Sequence, residues 1–73
     1  MRIREIIILD IIKEDIILIL EKNSKPITFE DFLDYEYLGY ADRSQIYFAL
    51  ESLATQGIIH KIYMDNELPV YSV

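Results

Sequence analysis

Cysteine and tryptophan are missing from this 73-residue chain, and histidine occurs once, at His60. Without thiols there is no disulfide framework, no thiolate zinc site and no cysteine nucleophile, and one imidazole cannot build a histidine metal cluster. Glycine and proline number two each. Gly39 and Gly57 alone cannot form a phosphate-cradling glycine loop, and no Gly-x-Ser-x-Gly elbow is present to activate a serine. The acids form no Asp-x-Asp-x-Asp-Gly calcium loop. The sequence therefore predicts no catalytic residues, no metal ligands and no cofactor.

Basic side chains are also scarce, seven Lys and Arg against thirteen Asp and Glu for a net charge of −6. That balance excludes indiscriminate attraction to nucleic acid or to an anionic membrane. The acidity is concentrated: Glu30, Asp31, Asp34, Glu36 and Asp42 fall within residues 28–42 with no base among them. The apolar start, MRIREIIILDII, is interrupted by Asp10 and followed by no small-residue cleavage site, so a cytoplasmic protein is expected.

What the chain does have is apolar mass, 52% of its residues, as one expected domain over 1–73. A domain of this size buries only about 60% of the surface of its unfolded chain, so association would add usefully to its stability. At ~100° per residue, Leu9, Ile12, Ile16, Ile19 and Leu20 share one helical face while Ile3, Ile7, Ile11 and Leu18 share another. Two arrangements satisfy both faces. One is a strand over about residues 3–9 followed by a helix that Asp10 caps; the other is one long helix whose second face meets another subunit. A helix over 10–22 is common to both, and Asn23-Ser24-Lys25-Pro26 breaks it.

Ile27-Thr28 reads as a very short strand, and Thr28 as the N-cap of a helix over FEDFLDYEYL, with Ile27 and Phe32 as a hydrophobic staple. Gly39 lies in the turn that follows, where a positive φ is expected. The stretch ADRSQIYFALESLATQGII (residues 41–59) then carries the clearest helix. Asp42 and Gln45 match a capping box, Gly57 a C-terminal stop, and Ile46, Ala49, Leu50, Leu53 and Ala54 an inward stripe. Beyond it, IIHKIYM and LPVYSV flank a polar Asp-Asn-Glu turn and read as a hairpin. Pro69 cannot donate to a ladder, which makes the last strand an edge or places the proline at a non-pairing position.

This order, with the S-x-I-Y-x-A-L-x-x-L-x-x-x-G-x-I pattern of residues 44–59, resembles the winged helix-turn-helix domain of small transcriptional regulators such as the PadR and MarR-like groups. The resemblance covers about residues 10–73. It implies an α+β fold of three helices, a C-terminal wing and a short strand near Ile27. It also implies double-stranded DNA as partner, recognition helix 43–56 in the major groove, and hairpin 58–73 as the wing. Carried over by position, Arg43, Ser44, Gln45 and Tyr47 would meet DNA, with Arg43 on guanine or phosphate, Gln45 on adenine, and Ser44 and Tyr47 on phosphate. Lys61, Lys25, Arg2 and Arg4 would add positive contacts.

Each of these residues also has a local role open to it. Gln45 can close the capping box, Tyr47 can pack beneath the second helix, and Arg43 can pair with Asp42 or Glu51. The chain further departs from the resemblance where a polyanion would be met, with Phe48 and Glu51 in the helix and Asp65 and Glu67 at the wing tip. The leading expectation is a homodimeric, sequence-specific DNA-binding regulator, joined through the first helix and the N-terminal residues. The alternative is a winged-helix module that binds protein through its acidic and aromatic surface. His60 reads as a partly exposed strand residue, and the tyrosines at 35, 37, 40 and 47 as packing groups.

Overall fold

One continuous helix, α1 (Ile3–Lys22), spans the isoleucine-rich start of the chain. The computed structural model describes residues 3–23, 25–65 and 67–73, with side chains from Ile8 onward. Ile3 and Ile7 on the second apolar face, the phosphate contacts expected of Arg2 and Arg4, and the turn residues Ser24 and Asn66 therefore lie outside the described residues or their side chains. The alternative of a strand over residues 3–9 is overturned: Asp10 sits inside α1 and caps nothing. An isolated strand there would leave its amides without ladder partners, whereas helix satisfies them within the segment.

Ile12, Ile16, Ile19 and Leu20 of α1 are buried, so the face predicted to turn inward does so. Ile11 and Leu18 on the second face remain exposed. The helix ends where Asn23 turns back, its backbone N–H and its side-chain amide both donating to the Ile19 carbonyl at 3.1 and 2.8 Å.

β1 (Ile27–Thr28) leads directly into α2 (Phe29–Leu33), which Thr28 caps by accepting from the Asp31 N–H at 3.2 Å. This helix is shorter than expected. Asp34 closes it in an αR conformation, Tyr35 is extended, and Glu36–Leu38 form a separate 3-10 turn. With the break Phe32 and Leu38 both reach the core, whereas on a straight helix over 29–38 positions six apart would stand about 120° apart around the axis. Tyr35, half-buried, packs against the same core. Gly39 differs from expectation too, with φ −63°. Its lack of a side chain serves proximity instead, since a Cβ there would stand 3.0 Å from the Glu36 carbonyl oxygen.

α3 (Arg43–Thr55) packs chiefly on α1, and its Ile46, Ala49, Leu50 and Leu53 are buried as predicted. β2 (His60–Ile62) and β3 (Val70–Ser72) are shorter than the apolar runs that contain them. The three strands form one antiparallel sheet in the order β1-β3-β2. Ile27 pairs with Tyr71, Thr28 with Val70, and Lys61 with Tyr71 on the other side. The last strand is thus central, not an edge, and Pro69 lies just before its first paired residue. Tyr71, 1% exposed, carries the sheet into the core beside Phe32, their rings 6.4 Å apart. Among the described residues no helix is long and apolar enough to cross a membrane.

Candidate functional site

α3 is held rigid at both ends, which makes its outward face a defined surface. At its start Asp42 Oδ1 accepts from the Gln45 N–H at 2.9 Å while Gln45 Oε1 accepts from the Asp42 N–H at 3.0 Å, a reciprocal capping box. Ser44 Oγ also donates to Asp42 Oδ1 at 2.8 Å. These bonds, the Gln45 amide first and Ser44 second, hold the Asp42 carboxyl below its ordinary value. At the other end Gly57 adopts φ +77°, the Gly57 N–H donates to the Ala54 carbonyl and the Ile58 N–H to Leu53, the paired bonds of a Schellman stop.

With the stripe of Ile46, Ala49, Leu50 and Leu53 turned inward, Arg43, Ser44, Tyr47 and Phe48 stand outward, Phe48 at 60% exposure. Arg43, Ser44, Tyr47, Phe29 and Asp42 line an open concavity of about 500 Å³ between the starts of α2 and α3. Phe29 is its floor. The Tyr47 ring meets Phe29 edge to face at 5.2 Å, and the Arg43 guanidinium lies 5.0 Å from the Phe29 ring centroid. Arg43 Nη2 also donates to Glu30 Oε1 at 2.7 Å, so the arginine pairs with the acid beside Phe29, and the expected partners Asp42 and Glu51 are not used.

The second cluster lies where α3 meets the hairpin. Lys61 on β2 donates to Glu51 on α3, and Tyr71 Oη donates to the same carboxylate at 3.4 Å. Lys61 Nζ also stands 5.3 Å from the Tyr63 ring centroid and 5.9 Å from that of Tyr71. Partial burial works against the charged Glu51 carboxylate, but hydrogen bonds from Lys61, Tyr47 and Tyr71 together with the Lys61 charge outweigh it and hold the group below its ordinary value. Hydrogen bonding to Glu51 in turn raises the Lys61 ammonium and the Tyr47 phenol, while burial first and Glu51 second raise Tyr71.

No protein-family model, curated protein or solved structure matches the chain.

The structure brings Arg43, Ser44 and Tyr47 together at one concavity, places Gln45 half-buried in the cap beside it, and sets Lys61 in the neighbouring cluster. Three participants escape a sequence reading in the roles they take. Phe29 shares itself between the core and the arginine. Glu30, in the first turn of α2, pairs with Arg43 of α3. Tyr63 carries no signal of its own, although strand alternation places it on the same side as Lys61, two residues before it.

Proposed function

We propose that this chain is an intracellular winged-helix domain that reads double-stranded DNA through α3, with the β2–β3 hairpin as wing and a second copy as partner. The observation that carries this reading is the pairing of a doubly capped helix, with Arg43, Ser44, Tyr47 and Phe48 exposed along one face of its first two turns, with a hairpin fastened to its flank by Lys61 and Glu51. The element order and the β1-β3-β2 sheet support it as well. A 13-residue helix is about 20 Å long and of a width that enters the major groove. In this reading Arg43 takes guanine or a phosphate, the Ser44 and Tyr47 hydroxyls turn from Asp42 and Glu51 to donate to phosphates, and Phe48 meets a thymine methyl. Gln45, its oxygen engaged by the cap, keeps its amino group as a donor. Lys61 serves the wing side.

Selection from a random library of short duplexes, at low and moderate salt, tests the reading. A two-fold site should be enriched, and the log–log salt slope should shrink by about one unit in Arg43→Ala. No enrichment at any salt sinks it. A second reading, a protein-docking module, is favoured by one specific observation: Tyr47, Phe48, Tyr63 and Met64 are exposed while both nearby cations carry carboxylate partners. Aromatic, Met and Arg side chains are the residues enriched at the centres of protein interfaces. Failure of the duplex selection leaves that reading in place.

A further inference from the structure

The two cations of the α3 and hairpin face are both occupied from within the chain, and each by an acid from a neighbouring element. Glu30, on the first turn of α2, holds Arg43 of α3; Glu51, on α3, holds Lys61 of β2. The Arg43 guanidinium is fixed from two directions, by the Glu30 carboxylate and by the Phe29 ring next to it in sequence. Asp31 and Asp42 stand nearby without a base of their own among the described residues, so the face as a whole is acidic.

We propose that Glu30 and Glu51 mask Arg43 and Lys61 as internal stand-ins for phosphate and so limit the affinity of this face for any nucleic-acid backbone. The inference rests on the duplex-reading function proposed above. Ordinary non-specific binding is driven by the release of small counterions from DNA when a cation neutralises a phosphate. Here a phosphate must first displace a carboxylate that is tethered to the protein, stays within reach, and then repels the phosphate. The gain from backbone contact is thereby reduced at every sequence alike. A uniform loss leaves the ratio of specific to non-specific affinity unchanged, but it keeps random-sequence binding weak at physiological salt.

The two pairs differ in a way that separates masking from structural support. Arg43 and Glu30 have side chains 64% and 53% exposed, the class of ion pair whose removal leaves stability nearly unchanged. Lys61 and Glu51 are 19% and 30% exposed, and they also tie the hairpin to α3. Glu30→Gln therefore tests masking with the fold undisturbed, and Glu51→Gln is read beside a thermal melt.

The experiment measures fluorescence anisotropy of a labelled random-sequence duplex against salt for the full chain, Glu30→Gln, Glu51→Gln and Glu30→Gln/Arg43→Ala. Masking predicts that each single variant binds the random duplex roughly ten-fold more tightly at about 50 mM salt, with a slope steeper by about one unit. Adding Arg43→Ala should cancel the Glu30→Gln gain. A Glu30→Gln slope equal to that of the unaltered chain overturns the proposal. If the chain enriches a site from the library and Glu30→Gln leaves random-duplex binding unchanged, masking fails and the duplex reading stands. If no site is enriched and Glu30→Gln still gains, the duplex reading fails and masking stands, as a device that keeps polyanions off this face.

Discussion

Tyr40 Oη donates to Asp15 Oδ2 at 2.6 Å, joining the turn before α3 to the middle of α1, 25 residues away in sequence. The contact is exposed, so water competes for both partners. Tyr40→Phe should therefore lower stability by no more than about 1 kcal/mol, and Asp15→Asn by a similar amount. Because both substitutions remove one bond, the double variant should cost little more than either single one. Urea unfolding of the four proteins measures the coupling, and strict additivity would show that the bond contributes nothing to stability.

The two glycines make opposite demands. At Gly57 nothing lies within 4 Å of the point where a Cβ would stand, so the cost of Gly57→Ala is conformational, about 1–2 kcal/mol for holding φ near +77°. Asparagine tolerates that region better, and Gly57→Asn should recover part of the loss. At Gly39 the backbone angle suits any residue, and the cost of Gly39→Ala comes from the Glu36 carbonyl 3.0 Å away. Gly39→Asn should therefore be no better than Gly39→Ala. Thermal melts of the four variants distinguish the two mechanisms.

Tyr71 separates packing from hydrogen bonding. Its ring is buried at the centre of the sheet, while its hydroxyl reaches Glu51 only at 3.4 Å. Tyr71→Phe keeps the ring and should cost under about 1 kcal/mol, whereas Tyr71→Ala opens a core cavity and should cost about 3–5 kcal/mol. In a domain this small the second loss is enough to unfold much of the population, visible as lost near-ultraviolet dichroism at room temperature.

Stability should fall away at both ends of the pH scale, for different groups. Asp42 and Glu51 are held below their ordinary values of 3.8 and 4.5, so the folded chain binds fewer protons than the unfolded one as pH drops through that range. Their contribution is complete above about pH 5 and is lost as pH falls further. Tyr40, half-exposed, by the partial desolvation it does have first and Asp15 second, and Tyr71, by burial first, are raised above the ordinary 10.0. Their contribution is complete below that value and is lost as pH rises past it. Glu51→Gln should flatten the acid limb of the midpoint-against-pH curve, and Tyr40→Phe the alkaline limb.

How much of this is legible in the sequence follows from the range of the forces involved. The caps of α2 and α3, the Gly57 stop and the inward stripes depend on residues three or four apart, and each is readable at Thr28, Asp42, Gln45 and Ile46. The break in α2 is not, because the core that takes both Phe32 and Leu38 is built by elements distant in sequence. Central placement of the last strand depends on β1, more than forty residues earlier, pairing with it. The same limit applies to the candidate site. Arg43, Ser44 and Tyr47 are visible as a helical face, but the acids that hold Arg43 and Lys61 come from other elements, 13 and 10 residues away in sequence.

Ile11 and Leu18 stand two helical turns apart on the solvent side of α1, at 44% and 37% exposure, with Glu14 exposed between them. A second copy of α1 laid against this seam would cover both and supply the two-fold symmetry that a palindromic DNA site requires. Sedimentation equilibrium should then give twice the chain mass at tens of micromolar. Ile11→Glu/Leu18→Glu should give the chain mass with an unchanged helical spectrum, since neither side chain contributes to the buried core. The separation also predicts a functional consequence. The monomeric variant should keep its preference for a half-site while losing the affinity that two linked half-sites provide, about 10²-fold or more. A chain that sediments as a monomer before any substitution would remove the dimer from the proposal and leave single half-site recognition to be tested alone.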